Sequence, residues 1–517
     1  MNFIKPLWPH QEKAFHEAVR IYEEVQTLPD PESRQAGYAL FFEPRCGKTA
    51  VAINVLRYLC TTRRRKLRTL VFCPPRVVPN WRNEFFIHSK FTANDIALLQ
   101  GAGSKRCDAF MALSSGGASV FVTNYESLLM GELFELFTAW RPEFIVFDES
   151  HRLKDIKAKR SKLAEQLSNP RVAVGKEKLI RGAPYKMILT GSPVLNSPMD
   201  LYQQFKIMDG GETFGYWDYR TNRQEPLSFR GFQLTYFVDR NAGMPKNKYF
   251  PKWELKTKER DGVDAMAQIS AKIAEKGMRI TRKECLTLPP TSQVTIETDL
   301  SAEQKKLYSE MKAEFITWYK SQAVVARLAL TKTLRLLQIT SGFVKTEEGQ
   351  ELYLESIPKQ DALRELLEDL LPSGKALVWS VFKENYRQIR EVCEGLGVDF
   401  VEVHGDISPA QQDRNVLRFQ TDPTCRVFIG HPESGGEGIN LVQAPYNIFY
   451  SRTHSLKHSI QASARNQSQD SKHEKTVRYD IVAKGTIDQL VADLVQEKED
   501  MTEAVYSALV LKNLLAT

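Results

Sequence analysis

Two groups of short apolar runs, each alternating with stretches of helical spacing, restrict the fold of this chain more than any other feature. The first group lies at 38–42, 69–73, 118–122, 144–147 and 187–189, and the second at 376–379, 399–403, 426–429, 447–450 and 477–482. Runs this short and continuously apolar suit strands covered on both faces. Parallel neighbours need a crossover long enough to hold a helix, so the alternation predicts parallel sheets in an α/β fold. The chain has 517 residues, and single cores stop growing near roughly 250–300 residues, so two principal domains are expected.

Between the groups the pattern changes. Residues 210–290 hold aromatic, Gly- and Lys-bearing segments, Phe214 to Tyr219 and Asn247 to Trp253 among them, then a helix-like stretch at 263–276. This reads as an inserted or bridging module whose aromatics form its core; stacking on bases is their competing use. Pro289-Pro290 punctuates the chain, and 302–341 carries apolar residues at helical spacing. The expected plan is a first α/β lobe at 1–209, the module at 210–290, a helical connector at 291–354, a second lobe at 355–485 and a helical brace at 486–517.

No stretch approaches the roughly 18–20 apolar residues of a membrane helix, and the first residues lack a secretory apolar region, so a cytoplasmic protein away from membranes is expected. Seven cysteines without a C-x-x-C pair and nine histidines without H-E-x-x-H spacing argue against structural zinc. The excess of 71 basic over 63 acidic residues, +8, favours a polyanionic partner only weakly over so large a surface. The densest basic cluster, 61–68, lies between a helix and the next strand and reads as a solvated turn on the far side of its lobe.

Glu43-Pro44-Arg45-Cys46-Gly47-Lys48-Thr49 follows a strand and opens a helix, where backbone N–H groups point at an anion. Gly47 permits close approach, Lys48 reaches the β and γ phosphates, and Thr49 holds Mg²⁺. Phe42 stands where the strict phosphate-loop pattern has its first glycine, and a plain helix start is the competing reading. Later, the apolar run 144–147 ends in Asp148-Glu149-Ser150-His151. Asp148 is the candidate metal ligand and Glu149 the candidate base, both at the carboxyl end of a strand, where open α/β sheets place ligands.

Further segments resemble, in order, the motifs of the Swi/Snf-like ATPases of helicase superfamily two. Leu7-Trp8-Pro9-His10-Gln11 is similar to the family's adenine-reading segment, with Gln11 as the adenine contact. Segments 71–85 and 122–128 resemble its next two motifs, 148–154 its acidic box, and Leu189-Thr190-Gly191-Ser192-Pro193 with Asn196 and the Leu201-Tyr202 pair its coupling motif. Segments 375–380, 403–406, 418–420, 426–430, 433–441 and 483–487 resemble the second lobe.

The resemblance implies two RecA-like lobes that bind ATP and Mg²⁺ and act on double-stranded DNA. It implies nucleotide contacts from Gly436 and Gly438, catalytic roles for Gln461 and Arg465, and coupling through His151, Thr190 and Ser192. Contacts to DNA phosphates fall to Arg76, Asn124, Tyr125, Arg152, Lys154, Ser380, Lys383 and Ser434, chosen jointly on the resemblance and their side-chain chemistry.

Two departures affect the mechanism. The family's second arginine is replaced by Ser468, with Gln469 beside it, and Arg452, Lys472 and Lys475 are the available substitutes. An arginine finger contributes on the order of 10³–10⁵ in rate. The family's Trp-Asn-Pro element is replaced by His454-Ser455-Leu456-Lys457. The expected function is a DNA translocase that hydrolyses ATP. The alternatives are a nucleotide-gated DNA clamp with weak turnover, and an RNA or single-strand helicase. The lean architecture resembles bacterial or viral members, with a protein partner supplying direction, in a bacterial or infected-host cytosol.

Overall fold

The computed structural model describes residues 3–27, 36–169, 182–194, 197–220, 223–245, 252–285, 291–321, 326–345, 350–432, 439–452, 462–466, 473 and 475–497. The chain divides into two compact units, Met1–Cys285 and Leu286–Thr517. No helix among the described residues is long and apolar enough to cross a membrane.

Strands β1 (Ala36–Phe42), β2 (Thr69–Cys73), β3 (Ile96–Leu99), β4 (Val120–Asn124), β5 (Phe144–Asp148) and β6 (Tyr185–Leu189) form most of the first sheet. The hairpin strands β7 (Tyr216–Asp218) and β8 (Arg223–Glu225) follow, then the pair β9 (Phe237–Asp239) and β10 (Trp253–Leu255), then β11 (Gly277–Ile280). The seven-stranded sheet has the order β11-β1-β6-β5-β2-β4-β3, and every pairing in it is parallel.

Alternate residues of the central strands feed different cores. Tyr38, Leu40, Phe42, Val71 and Cys73 pack on one face, and Ala39, Phe41, Leu70 and Phe72 on the other. Both faces are covered, which is why the strands read as unbroken apolar runs.

The segment 210–290 is less separate than its composition suggests. Phe214, Phe232, Tyr236 and Phe237 are buried, but in the same core as Phe41 and Phe205 of the lobe. The strand β11 runs parallel to β1, with Ala39 opposite Gly277 and Phe42 opposite Ile280. Arg279 within it and Lys276 just before it conceal the strand in an apolarity scan.

The second unit carries β12 (Thr291–Thr298), the small pair β13 (Phe343–Lys345) and β14 (Glu351–Tyr353), then β15 (Ala376–Trp379), β16 (Asp399–Val403), β17 (Cys425–Gly430), β18 (Tyr446–Phe449) and β19 (Thr476–Ala483). Its six-stranded sheet, β12-β19-β18-β15-β17-β16, is also parallel throughout. Residues 291–298, at the head of the expected helical connector, pair with β19 from Thr291↔Thr476 to Thr298↔Ala483. They form an edge strand, half-exposed and mostly polar, so they produce no apolar run. The helices Ala302–Ser321 and Ala326–Thr340 follow it.

The helix Ile487–Glu497 packs Ile487 and Val491 against Tyr308 and Leu336. Its first turn is pinned by the buried Lys359–Asp488 ion pair and by the Ala483 N–H donating to Asp488 Oδ2 at 2.9 Å. Residues 498–517 of the expected brace, Pro289-Pro290 and the segment 247–251 lie outside the described residues.

Candidate active site

The buried strand β1 ends at Phe42, and a 15-residue helix, Lys48–Thr62, begins after a turn of five residues. The turn between them contains two left-handed residues, Arg45 at φ 72° and Gly47 at φ 80°. Gly47 is required twice: by its φ, and because a Cβ there would lie 2.0 Å from Nε2 of Gln11. Gln11 is buried; its Oε1 accepts from the Trp8 N–H at 3.0 Å, and its Nε2 donates to the Cys46 carbonyl at 3.2 Å.

A ring nitrogen of His10 lies 2.9 Å from the same carbonyl. The Lys48 ammonium donates to Phe42 O at 3.0 Å, bracing the turn across its own mouth. Thr49 stands half-buried on the first helical turn. A side-chain-free approach at Gly47, a movable ammonium and the N–H groups of a long helix fit a polyphosphate.

The two carboxylates lie at the end of β5 in different environments. Asp148 is buried: Oδ2 accepts from the indole N–H of Trp81 at 3.0 Å and Oδ1 from the Glu149 N–H at 3.0 Å. Burial first, and then the neighbouring Glu149 charge, push the Asp148 carboxyl up to about 6, against the pull of Lys48 and the Trp81 hydrogen bond. A buried carboxyl beside a second acidic residue, in the same lobe as the hydroxyl-bearing start of the helix Lys48–Thr62, is a donor set that fits Mg²⁺.

Glu149 has left-handed backbone, φ 55°, an uncommon state for a residue with a side chain and one that clusters at functional sites. That turn brings its carboxylate to Thr190 and His151. Thr190 Oγ1 donates to Glu149 Oε2 at 3.1 Å and accepts from the Ser192 N–H at 3.1 Å. His151 Nδ1 lies 3.0 Å from Thr190 Oγ1 and 3.1 Å from Glu149 Oε2. With the Thr190 proton directed at Glu149, His151 carries its own proton on Nδ1.

Gly191 packs the same segment onto the phosphate loop: a Cβ there would sit 2.9 Å from Pro44 Cδ and 3.2 Å from Phe42 O. Ser150 and Gln204 tie the acidic box to the following helix, with Oγ donating to Oε1 at 2.8 Å. His151, Thr190 and Ser192, the expected coupling residues, are thus in one hydrogen-bonded group with Glu149, against the loop that precedes Lys48.

The expected DNA contacts in this unit sit at or just after the carboxyl ends of β2, β4 and β5, the rim that carries Asp148. Arg76 and Arg152 are half-buried. Asn124 Oδ1 accepts from Arg106 at 2.8 Å, and Lys154 pairs with Asp200 at 3.2 Å. Tyr125 departs from expectation. It is buried, and its hydroxyl donates to Asp148 O at 2.6 Å, so it supports the acidic box from behind.

Ser380 in the second unit departs in the same way. It is fully buried, and its Oγ lies 2.7 Å from Ser451 Oγ and 3.1 Å from Asn385 Oδ1. A hydroxyl at a strand end reads as exposed, whereas here the following helix covers it. Lys383 is exposed and 2.5 Å from Asp406 Oδ1. The basic cluster at 61–68 lies at the amino ends of the strands, opposite the site. There Arg65 pairs with Glu143 and Lys66 with Asp95.

Arg465 is buried within its own unit, its Nη1 donating to Ile439 O at 3.4 Å. Arg452, one of the expected substitutes for the second arginine, is buried against Asp480 with its guanidinium 4.1 Å from the Phe449 ring centre, which removes it from that role in this arrangement. Lys475 is exposed. Asn196, Ser434, Gly436, Gly438, His454 to Lys457, Gln461, Ser468, Gln469 and Lys472 lie outside the described residues.

Sequence reasoning missed two site residues. Trp81 lay inside a quoted motif without a role, and His10 beside Gln11 without a partner. Only the fold brings Trp81 to Asp148.

A model of the SNF2-related domain matches residues 18–343, and one of the helicase conserved C-terminal domain matches 358–467. The chain is 24% identical over 489 residues to the TATA-binding protein-associated factor mot1 of Aspergillus fumigatus, covering 85% of this chain and 24% of that protein. It is 24% identical over 473 residues to putative protein p41 of Acyrthosiphon pisum secondary endosymbiont phage 1, covering 90% of this chain and 93% of that one. The chain thus spans about a quarter of the former relative's length. A solved SWI2/SNF2 ATPase core of Sulfolobus solfataricus in complex with dsDNA is similar at 20% identity and a TM-score of 0.42, covering 98% of this chain and 94% of that one. With the first model matching well over half of its residues, the chain belongs to the SNF2-related family of helicase-type ATPases.

Proposed function

We propose that this chain couples ATP hydrolysis to movement along double-stranded DNA, without regard to base sequence. The observation that carries the reading is the continuous path Lys48–Phe42–Gly191–Thr190–Glu149 and His151, which joins the phosphate loop to the acidic box through a single segment.

Gly47, Lys48 and the first N–H groups of the helix Lys48–Thr62 hold the phosphates, Gln11 reads the adenine, and Thr49 with Asp148 holds Mg²⁺. The ion, when bound, offsets the charge that builds on the transferred phosphoryl group. Glu149 orients the attacking water and takes its proton. Thr190 and His151 fix the carboxylate that does so, and Ser192 fixes Thr190. Any change in the Thr190–Ser192 segment is therefore felt at the catalytic carboxylate.

The second lobe contributes Gly436, Gly438, Gln461 and Arg465. Closure on ATP and opening after hydrolysis alternate the lobes' hold on DNA. Arg76, Asn124, Arg152, Lys154, Lys383 and Ser434 hold the phosphates, which carry no sequence information. The relative of similar length from a phage supports the compact plan; a bacterial or host cytosol and a directing protein partner belong to the same reading.

A nucleotide-gated clamp with slow turnover is the second reading. It is favoured by Ser468 at the second arginine position and by the burial of Arg465 and Arg452. ATP binding and turnover measured separately on duplex DNA decide between them. Turnover of at least about 1 s⁻¹ supports the motor, whereas tight binding with negligible turnover supports the clamp.

A further inference from the structure

The aromatics of the 210–290 segment divide into two sets. One set is core; the other, Tyr216, Trp217 and Tyr219, stands on the β7–β8 hairpin at 52%, 47% and 88% exposure. No other stretch of the described residues concentrates exposed large aromatics in this way. Tyr216 faces Glu225 and Trp217 faces Gln224 across the hairpin, and Tyr219 lies at its turn. Beside them the Arg220 side chain is 92% exposed, and it lies 3.6 Å from Asp218, whose side chain is 12% exposed.

The segment is also where the net charge concentrates. Residues 210–290 carry fifteen Lys and Arg against ten Asp and Glu, +5 of the chain's +8. Exposed Tyr and Trp rings next to an exposed guanidinium, in a basic segment, match a strand of unpaired bases: the rings offer stacking faces and the cations meet the phosphates. Inside a duplex the stacked neighbours already cover both faces of each base, so the hairpin needs bases that are unpaired and unstacked.

We infer that the β7–β8 hairpin is a docking element for single-stranded nucleic acid, engaging unpaired bases where a duplex ends or opens. The inference rests on the DNA-motor reading for its partner, and adds to it a second contact of different chemistry.

The test uses the full chain without nucleotide, an oligothymidylate of about 12 nucleotides, and a blunt duplex. The triple substitution Tyr216→Ala, Trp217→Ala and Tyr219→Ala weakens oligothymidylate binding by at least about tenfold and leaves the duplex affinity and the duplex-stimulated ATPase unchanged. Trp217→Phe keeps most of the affinity and abolishes the fluorescence quench that accompanies stacking on the indole. Arg220→Glu weakens binding and lowers its salt dependence while leaving the rings in place.

Unchanged oligothymidylate affinity in the folded triple variant overturns the inference and leaves the hairpin as a protein-facing surface. Equal loss on duplex and single strand overturns it too, as a general electrostatic contact. A wild-type chain with no duplex-stimulated ATPase counts against the motor reading instead, since the hairpin measurement needs no turnover.

Discussion

The indole N–H of Trp81 donates to Oδ2 of Asp148 at 3.0 Å, deep in the first domain. It leaves the other oxygen to the Glu149 N–H and fixes the plane of a carboxylate that burial otherwise drives towards its neutral form. Trp81→Phe keeps an aromatic ring in the core, at the cost of a small void, and removes the donor. Outer partners of metal-holding groups are typically worth 10–100-fold in affinity. The half-saturating Mg²⁺ concentration for hydrolysis should therefore rise about tenfold or more, with Mn²⁺ binding followed by electron paramagnetic resonance as the check independent of turnover.

Gly47→Ala places a methyl carbon 2.0 Å from Gln11 Nε2 at a φ of 80°. The strain is of order 1–2 kcal/mol, a tolerable loss for a domain of this size. Displacement of Gln11 and the loop is the larger effect. Binding of a fluorescent ATP analogue should fall by two orders of magnitude or so while the melting temperature moves by only a few degrees.

Thr190→Val removes the proton directed at Glu149 and the acceptor for the Ser192 N–H, at a fully buried side chain. ATP binding should persist, because the phosphate loop keeps its backbone. Stimulation of hydrolysis by DNA should fall at least about tenfold, and basal hydrolysis should fall less. Equal losses in basal and stimulated rates would show that the segment serves the carboxylate alone.

Lys186 lies fully buried on β6, its ammonium donating to Ser168 O at 3.3 Å and Asn169 Oδ1 at 3.1 Å. Burial lowers it to about 8, against the upward pull of Asp209 and Glu212. The ordinary value in the unfolded chain is near 10.4. Below about pH 8 both states are protonated and the cost of the buried charge is fully present; as pH rises from there towards 10.4 the native state sheds its proton first, and the cost is relieved. Urea unfolding of the wild type relative to Lys186→Met should show its stability gaining up to about 3 kcal/mol across that window. A flat difference would mean the amine keeps its charge.

Much of this architecture is written in local patterns. The ten apolar runs predicted strands within a few residues of their observed positions because both faces of each sheet are covered, so burial and apolarity coincide. The strands β11 and β12 escaped for the opposite reason, whereas β3 is a four-residue apolar, largely buried strand that was passed over for its brevity. β11 carries Arg279, and β12 is a polar, half-exposed strand at the sheet edge. Lys48, Asp148, Glu149 and Thr190 were readable because parallel sheets bring carboxyl ends of strands to one rim. The Trp81 contact spans 67 residues and has no local signature. Tyr125 and Ser380 look like strand-end surface residues in the sequence, and only the elements packed over them make them internal.

ATP hydrolysis measured with duplex DNA, single-stranded DNA and RNA of equal length is the deciding measurement for a DNA motor. A DNA motor shows Mg²⁺-dependent turnover stimulated most by duplex DNA, and lost in Lys48→Ala and in Glu149→Gln. Absence of hydrolysis with every nucleic acid, or stimulation by RNA above duplex DNA, would contradict it.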